Sequence, residues 1–241
     1  MVKLTQMEAA LAGKITDEMR LVAEKEGRAA EDIRALVASG RAVIPANRNH
    51  LNLDPEGIGE GLRVKVNANI GTSPLACDPA TELCKIGMAL EAGTDAMMDL
   101  STAGDLAALR QQLLDHCPKP VGTVPIYEAT IAVLERGHSI ADTSADEIFG
   151  VIENHARQGV DFVTVHCGVT RAALHALREQ GRTLGIVSRG GAFLKRWIEE
   201  RGEENPLYAQ FDRLLDIARA YDVTLSLGDG LRPGAVADGT D

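Results

Sequence analysis

Several things are scarce in this 241-residue chain, and each scarcity removes a class of answer. It has four cysteines, Cys77, Cys84, Cys117 and Cys167, whose spacings match no zinc or iron–sulfur ligand pattern. They read as reduced thiols of a cytosolic protein, with Cys167 set apart because it follows His166 at a strand end. No apolar run approaches the roughly 20 residues that span a bilayer, and Met1-Val-Lys-Leu-Thr-Gln does not read as a signal peptide. Positive charge is also short: 25 basic against 35 acidic side chains leave a formal net charge of -10. That balance argues against nucleic acid or an anionic membrane as partner, while a local basic cluster can still hold a phosphorylated small molecule. No Gly-x-Gly-x-x-Gly opens a helix, which argues against a dinucleotide site. Aromatics make up only 3%, but with 45% hydrophobic and 25% charged residues the composition is that of a soluble globular enzyme.

Residues 1–61 read as a small domain, helical and then irregular. Gln6 to Ala12 is a short helix stopped by Gly13, Thr16 caps Asp17 to Glu26 ahead of Gly27, and Glu31 to Ala38 runs to Gly40. The polar stretch Asn47-Arg-Asn-His50 is either a site lining or an Asx-rich turn bonding its own backbone.

Residues 62–241 show a regular β-α alternation. Strands are expected at 62–66, 95–100, 120–124, 161–165, 183–187 and 223–227. Asp78-Pro79, a capping box at Thr143-Ser-Ala-Asp146, and Asn205-Pro206 open helices, with Gly137, Gly159 and Gly181 as stops. Strands this apolar, alternating with helices, imply a parallel sheet. Every strand end carries chemistry-capable groups. They are Asn67 and Asn69; Met98, Asp99, Ser101 and Thr102; Tyr127; His166; Ser188, Arg189, Gly190 and Gly191; and Asp229 with Arg232. An open doubly wound sheet gathers its site at one switch point, whereas a βα barrel builds it from many strand ends. The expectation is therefore α/β, a (β/α)8 barrel of which about six units are present, behind the small N-terminal domain. Six units fall short of closure, so a longer protein is expected.

Within that frame Ser188-Arg-Gly-Gly191 combines a hydroxyl, a guanidinium and closely approachable amides, a set that suits phosphate. Asp229 and Arg232 sit on a glycine-rich turn straight after a strand, a placement that suits an oriented anion or an ordinary surface ion pair. His166, at the end of Phe162-Val-Thr-Val165, is placed to face a barrel mouth.

Seven stretches together resemble the phosphomethylpyrimidine synthase (ThiC) family. They are Ile44-Pro-Ala-Asn47 with Asn49-His50, Lys65-Val-Asn-Ala-Asn-Ile-Gly-Thr72, Met98-Asp-Leu-Ser-Thr102, Gly122-Thr-Val-Pro-Ile-Tyr127, Val165-His-Cys-Gly-Val169, Gly185-Ile-Val-Ser-Arg-Gly-Gly191 and Leu225-Ser-Leu-Gly-Asp-Gly-Leu-Arg-Pro-Gly234. The resemblance implies a radical S-adenosylmethionine enzyme on a βα barrel, a cytoplasmic homodimer. Its substrate would be 5-aminoimidazole ribonucleotide and its product 4-amino-5-hydroxymethyl-2-methylpyrimidine phosphate, on the way to thiamine. It places substrate contacts on Asn69, Met98, Tyr127, His166, Ser188, Arg189, Gly190, Asp229, Gly230, Leu231 and Arg232. It also implies a [4Fe-4S] cluster, S-adenosylmethionine and a divalent metal, zinc or iron. The family's Cys-x-x-Cys-x-x-x-x-Cys motif and metal-binding histidines are not in this chain, and are expected beyond Asp241. Arg48, Leu51, Ala103 and Glu128 depart from the thiamine-type pattern. A paralogous class, the 5-hydroxybenzimidazole synthases of cobamide biosynthesis, shares the motifs and the substrate. A non-catalytic nucleotide-binding remnant is the reading from a different functional class.

Overall fold

A computed structural model describes residues 4–239. In chain order the elements begin with helices α1 (Gln6–Leu11), α2 (Asp17–Glu26) and α3 (Ala30–Ala38) and the short strands β1 (Ala42–Val43) and β2 (Ile58–Gly59), which pair antiparallel. Then follow β3 (Asn67–Ile70), α4 (Pro79–Glu91), β4 (Ala96–Asp99), α5 (Leu106–His116), β5 (Val121–Thr123), α6 (Pro125–Glu135) and, after a single 3-10 turn, α7 (Ala145–Gln158). The remainder is β6 (Phe162–Val165), α8 (Arg171–Gln180), α9 (Arg189–Arg201), α10 (Pro206–Ala209), α11 (Phe211–Tyr221) and β7 (Thr224–Leu227). Strands β3 to β7 form one five-stranded sheet in sequential order, β3-β4-β5-β6-β7. The pairs β3–β4, β4–β5 and β5–β6 are parallel. Thr224 N–H donates to Asp161 O and Gly228 N–H to Val165 O, the stepping of a parallel neighbour. The chain is thus α/β with a parallel sheet, as the alternation implied.

Local signals account for most boundaries. Thr16 Oγ1 accepts from Met19 N–H, the Asp78 carboxylate takes the Ala80 and Thr81 amides ahead of Pro79, and Asn205 caps α10. Three expectations shift. The capping box lies one residue further on: Ser144 Oγ accepts from Glu147 N–H at 3.1 Å and Glu147 Oε2 accepts from Ser144 N–H at 2.8 Å. The first strand of the sheet is 67–70 rather than 62–66. Val64 and Val66 are exposed, and the ladder instead joins Asn67–Ile70 to Ala96–Asp99. Residues 183–187 are not a strand at all. Gly185 has φ 59, which breaks an extended run, and the Thr183 and Leu184 amides donate to the Asp238 carboxylate instead of a ladder.

The chain falls into two compact units, each interrupted in sequence. The first is Met1–Thr123, His155–Val163 and Ile217–Thr224. Its helical region packs Met19, Val22, Ile33, Leu36 and Val37 with Ile44 from the loop beyond β1. A second fixture of this unit is polar. The Asp161 carboxylate, 0% exposed, accepts from Asn47 N–H at 2.9 Å, Val121 N–H at 2.8 Å and His50 Nδ1 at 2.7 Å. His50 Nε2 donates to Cys117 O at 3.0 Å, and Asn47 Nδ2 donates to Ala156 O and Val160 O. Asn47, Asn49 and His50 are therefore structural: Asn47 Oδ1 takes Asn49 N–H in an Asx turn, and the loop is stapled to the starts of β5 and β6.

The second unit is Val124–Asn154, Thr164–Asp216 and Leu225–Asp241. Its buried interior includes Val133, Ile148, Phe149, Leu174, Leu194, Trp197, Ile198 and Leu207, and Trp197 Nε1 donates to Thr143 O at 2.8 Å.

Candidate functional site

In the first unit, Asn69 and Met98 are register partners across β3 and β4, and Met98 pairs in turn with Gly122 and Gly122 with Phe162. Directly opposed residues share a face of the sheet, so these four form one row. A Cβ on Gly122 would lie 2.0 Å from the Phe162 ring, so glycine leaves the space that the ring occupies. Asn69 is exposed and accepts from Asn67 Nδ2 at 2.8 Å, the contact their period-two spacing implies. Met98 is half-buried. The neighbouring polar groups are committed elsewhere. Asp99 accepts from Ser101 N–H at 2.9 Å, Ser101 Oγ accepts from Thr72 N–H at 3.1 Å, and Thr72 Oγ1 donates to Ala103 O. Burial pushes the Asp99 carboxyl up, against the Ser101 hydrogen bonds and the Arg110 charge. Gly71, at φ 150, would set a Cβ 2.6 Å from Ser101 N, so the loops after β3 and β4 lie in direct backbone contact.

The other nine residues singled out, Tyr127, His166, Ser188, Arg189, Gly190, Asp229, Gly230, Leu231 and Arg232, belong to the second unit. Ser188 is the N-cap of α9 and is buried; its Oγ accepts from Gly191 N–H at 3.2 Å. The hydroxyl is thus occupied as an acceptor by the helix it starts. Helix geometry then leaves the amides of Arg189 and Gly190, the first two helical residues, without intrahelical acceptors. The positive end of the helix macrodipole sits at the same place. Gly190 is a glycine for a steric reason: a Cβ there would fall 2.3 Å from His166 Cε1 and 2.6 Å from Nδ1. On Gly191 a Cβ would fall 2.1 Å from Gly230 O. The first turn of α9 therefore lies directly on the imidazole and on the loop after β7.

His166 is 5% exposed, and its Nδ1 is buried without a hydrogen-bond partner among the described residues. Burial, seconded by the Arg232 charge and opposed by Asp229, holds its pKa below the usual histidine value. At neutral pH the ring is uncharged, and its unpartnered Nδ1 is enclosed against Gly190 at the first turn of α9. Arg189 is exposed, with its guanidinium 5.0 Å from the Tyr127 ring centroid, a cation–π distance. Phe193, one turn along α9, meets Tyr127 edge-on with centroids 6.2 Å apart. Asp229 and Arg232 are both exposed and do not form a side-chain pair: Arg232 Nη1 donates to the Asp229 carbonyl at 3.1 Å. Leu231 is half-buried. The result is a cluster of two guanidiniums, two open amides, a neutral imidazole and a carboxylate, a donor-rich set suited to an anionic, hydroxylated small molecule.

Sequence reasoning passed over three residues of this unit. Val169 meets Gly230, Phe193 supports Tyr127, and Asn205 binds the turn after His166. Asn205 carried a local signal, as a helix cap, and Val169 stood in one of the family-like stretches. Among the described residues no three His, Cys, Asp or Glu side chains gather as a metal site. Cys77 and Cys84 are exposed, while Cys117 and Cys167 are buried, their thiols pushed up by burial to about 11.

The family model described as Radical SAM ThiC family matches residues 5–241. The chain is 56% identical over 238 residues to a phosphomethylpyrimidine synthase of Moorella thermoacetica, covering 99% of this chain and 55% of that protein. It is 58% identical over 239 residues to one of Thermus thermophilus, with the same two coverages, and 52% identical over 238 residues to one of Syntrophus aciditrophicus, covering 99% and 56%. The chain thus spans about half the length of the curated relatives it matches.

Proposed function

Because the chain belongs to the radical SAM ThiC family, we propose that it carries substrate-binding residues of a phosphomethylpyrimidine synthase. The substrate would be 5-aminoimidazole ribonucleotide and the product 4-amino-5-hydroxymethyl-2-methylpyrimidine phosphate. The observation that supports this most is the first turn of α9, where Arg189 and the open amides of Arg189 and Gly190 adjoin His166. A phosphate suits that turn, because amide donors, the helix dipole and a guanidinium all favour an anion. Asp229 would accept from ribose hydroxyls or a ring amine, and Arg232 would add a second cation. Neutral His166 would back the first turn of α9, setting where the Arg189 and Gly190 amides stand. In the first unit, Asn69 and Met98 are the residues of this reading, a polar contact and an apolar one.

We read residues 62–241 as the consecutive βα units of a barrel and residues 1–61 as a helical domain before them; the sequential strand order supports this. S-adenosylmethionine and a [4Fe-4S] cluster, the pair implied by a radical SAM family, would supply the radical chemistry. The described residues do not fit the cluster, since their cysteines form no triad. What these residues contribute is binding, orientation and exclusion of water.

Titration calorimetry of the chain with 5-aminoimidazole ribonucleotide, against inorganic phosphate, tests the binding role. Saturable binding of the nucleotide is expected, and its absence would remove the reading. For the activity, a protein carrying this chain at the relatives' full length is assayed by mass spectrometry with S-adenosylmethionine and reductant. The pyrimidine phosphate is expected; 5-hydroxybenzimidazole in its place would refute the assignment.

A further inference from the structure

We propose that Asn205 is a positioning residue of this site, its side-chain amide fixing the turn that carries His166 and Val169 and so fixing where the imidazole lies. The inference rests on the reading of the second unit as a substrate site.

Asn205 is 0% exposed. Its Nδ2 donates to His166 O and to Val169 O, each at 3.0 Å, while its Oδ1 accepts from Leu207 N–H at 3.0 Å. Capping α10 needs only the oxygen. The two donor bonds reach 39 and 36 residues back, to the loop after β6. Val169 N–H closes the same turn onto His166 O at 3.3 Å. No other short side chain supplies this set: aspartate has no donor, serine has one, and glutamine carries the amide one methylene further out.

The turn matters because its two side chains are held without slack. The His166 ring lies where a Cβ on Gly190 would be 2.3 Å away and one on Gly228 2.9 Å away. Val169 Cγ2 would be 2.2 Å from a Cβ on Gly230. Three glycines of the candidate site thus rest on two side chains, and one carboxamide holds the backbone of both. A small rotation of residues 166–169 drives the imidazole into α9 or lifts it away, changing its exposure and its distance from Asp229 and Arg232, the charged groups that act on it.

The test uses the whole chain and follows the His166 ring nitrogens by long-range proton–nitrogen NMR across pH, alongside calorimetry with 5-aminoimidazole ribonucleotide. Asn205→Asp keeps the cap oxygen and removes both donors; Asn205→Ser keeps a cap and at most one donor. In each, the His166 titration midpoint is expected to rise by about half a unit or more as burial is relaxed. Nucleotide affinity is expected to fall about tenfold in the aspartate variant and less in the serine variant, as befits loss of orientation rather than of a contact. If Asn205→Asp does not fold, the serine variant decides. Asn47→Ser is the control, because Asn47 donates to two carbonyls in the same way but in the other unit; it is expected to leave the His166 resonances in place. Unchanged His166 resonances in a folded Asn205→Ser protein would overturn the proposal, as would an equal shift in Asn47→Ser. Shifted His166 resonances in the Asn205 variants, together with a wild-type protein that binds no nucleotide, would uphold the positioning and refute the ligand reading instead.

Discussion

Replacing Asp161 by alanine is expected to cost more stability than any other single truncation in the first unit. The carboxylate is fully buried and takes three donors, the amides of Asn47 and Val121 and the imidazole of His50, whose other nitrogen is held by Cys117 O. Removing one partner of a buried charged pair costs about 3–5 kcal/mol, and each orphaned backbone donor adds about 1–3 kcal/mol before the loop relaxes. Because the groups relax together, we expect about 5 kcal/mol in all, comparable to the whole stability of a marginal domain. At about 2–4 °C per kcal/mol for a chain of this size, the midpoint falls by roughly 10–20 °C. Asp161→Asn keeps the shape but turns an amide donor toward another donor, so an intermediate loss is expected. Burial opposes the imidazolium of His50, but the hydrogen bond and charge of Asp161, with the Cys117 carbonyl, raise its pKa above the usual value. A raised folded pKa contributes stability that is complete below the unfolded value of about 6.5 and is lost as pH climbs through the folded one. Wild-type stability should therefore decline as pH rises above about 6.5, and that component of the decline should vanish in His50→Gln. Urea melts followed by circular dichroism measure both effects. An Asp161→Ala unfolding free energy within about 1 kcal/mol of wild type, or identical pH profiles for wild type and His50→Gln, would refute the reasoning.

Three further outcomes are expected. Arg189→Ala should weaken 5-aminoimidazole ribonucleotide binding by about 2–5 kcal/mol, as for a truncated charge pair, with Arg189→Lys recovering only a fraction because the planar fork is lost; wild-type affinity in calorimetry would sink the phosphate assignment. Gly191→Ala must push apart a pair of backbones that leave 2.1 Å for its Cβ, whereas Gly87→Ala, on α4 with open space around it, should stabilise by about 0.5–1 kcal/mol; thermal melts of these variants should move in opposite directions. Residues 1–241, reconstituted anaerobically with iron and sulfide, should show no stoichiometric cluster by Mössbauer or EPR spectroscopy; a cluster signal abolished by Cys77→Ala or Cys167→Ala would contradict the cysteine geometry.

What the sequence determined by itself was whatever depends on a few neighbouring residues. Thr16, Asp78 and Asn205 cap helices because a side-chain oxygen reaches an amide two or three residues on, and Gly27 ends α2 because it alone adopts φ 62 without strain. The alternation of helices with apolar strands was legible for the same reason, as were the long motifs that carry the family resemblance. Where local pattern and pairing disagreed, pairing won. Val64 and Val66 look like strand interior but are exposed, and 183–187 gives up its ladder to Gly185 and the Asp238 carboxylate. Only the tertiary structure decided what each polar residue is for. His50 and His166 are both buried histidines in familiar motifs, yet one has both nitrogens bonded and the other has Nδ1 unpartnered. That difference is made by Asp161, 111 residues from His50, and by glycines at 190, 228 and 230 that close on His166 from the first turn of α9 and the loop after β7. Spacing along the chain carries the helix and strand periods, but not which distant group will stand opposite a given nitrogen. That is decided when the elements pack, because a buried polar atom must find its partner among whatever the fold brings to it.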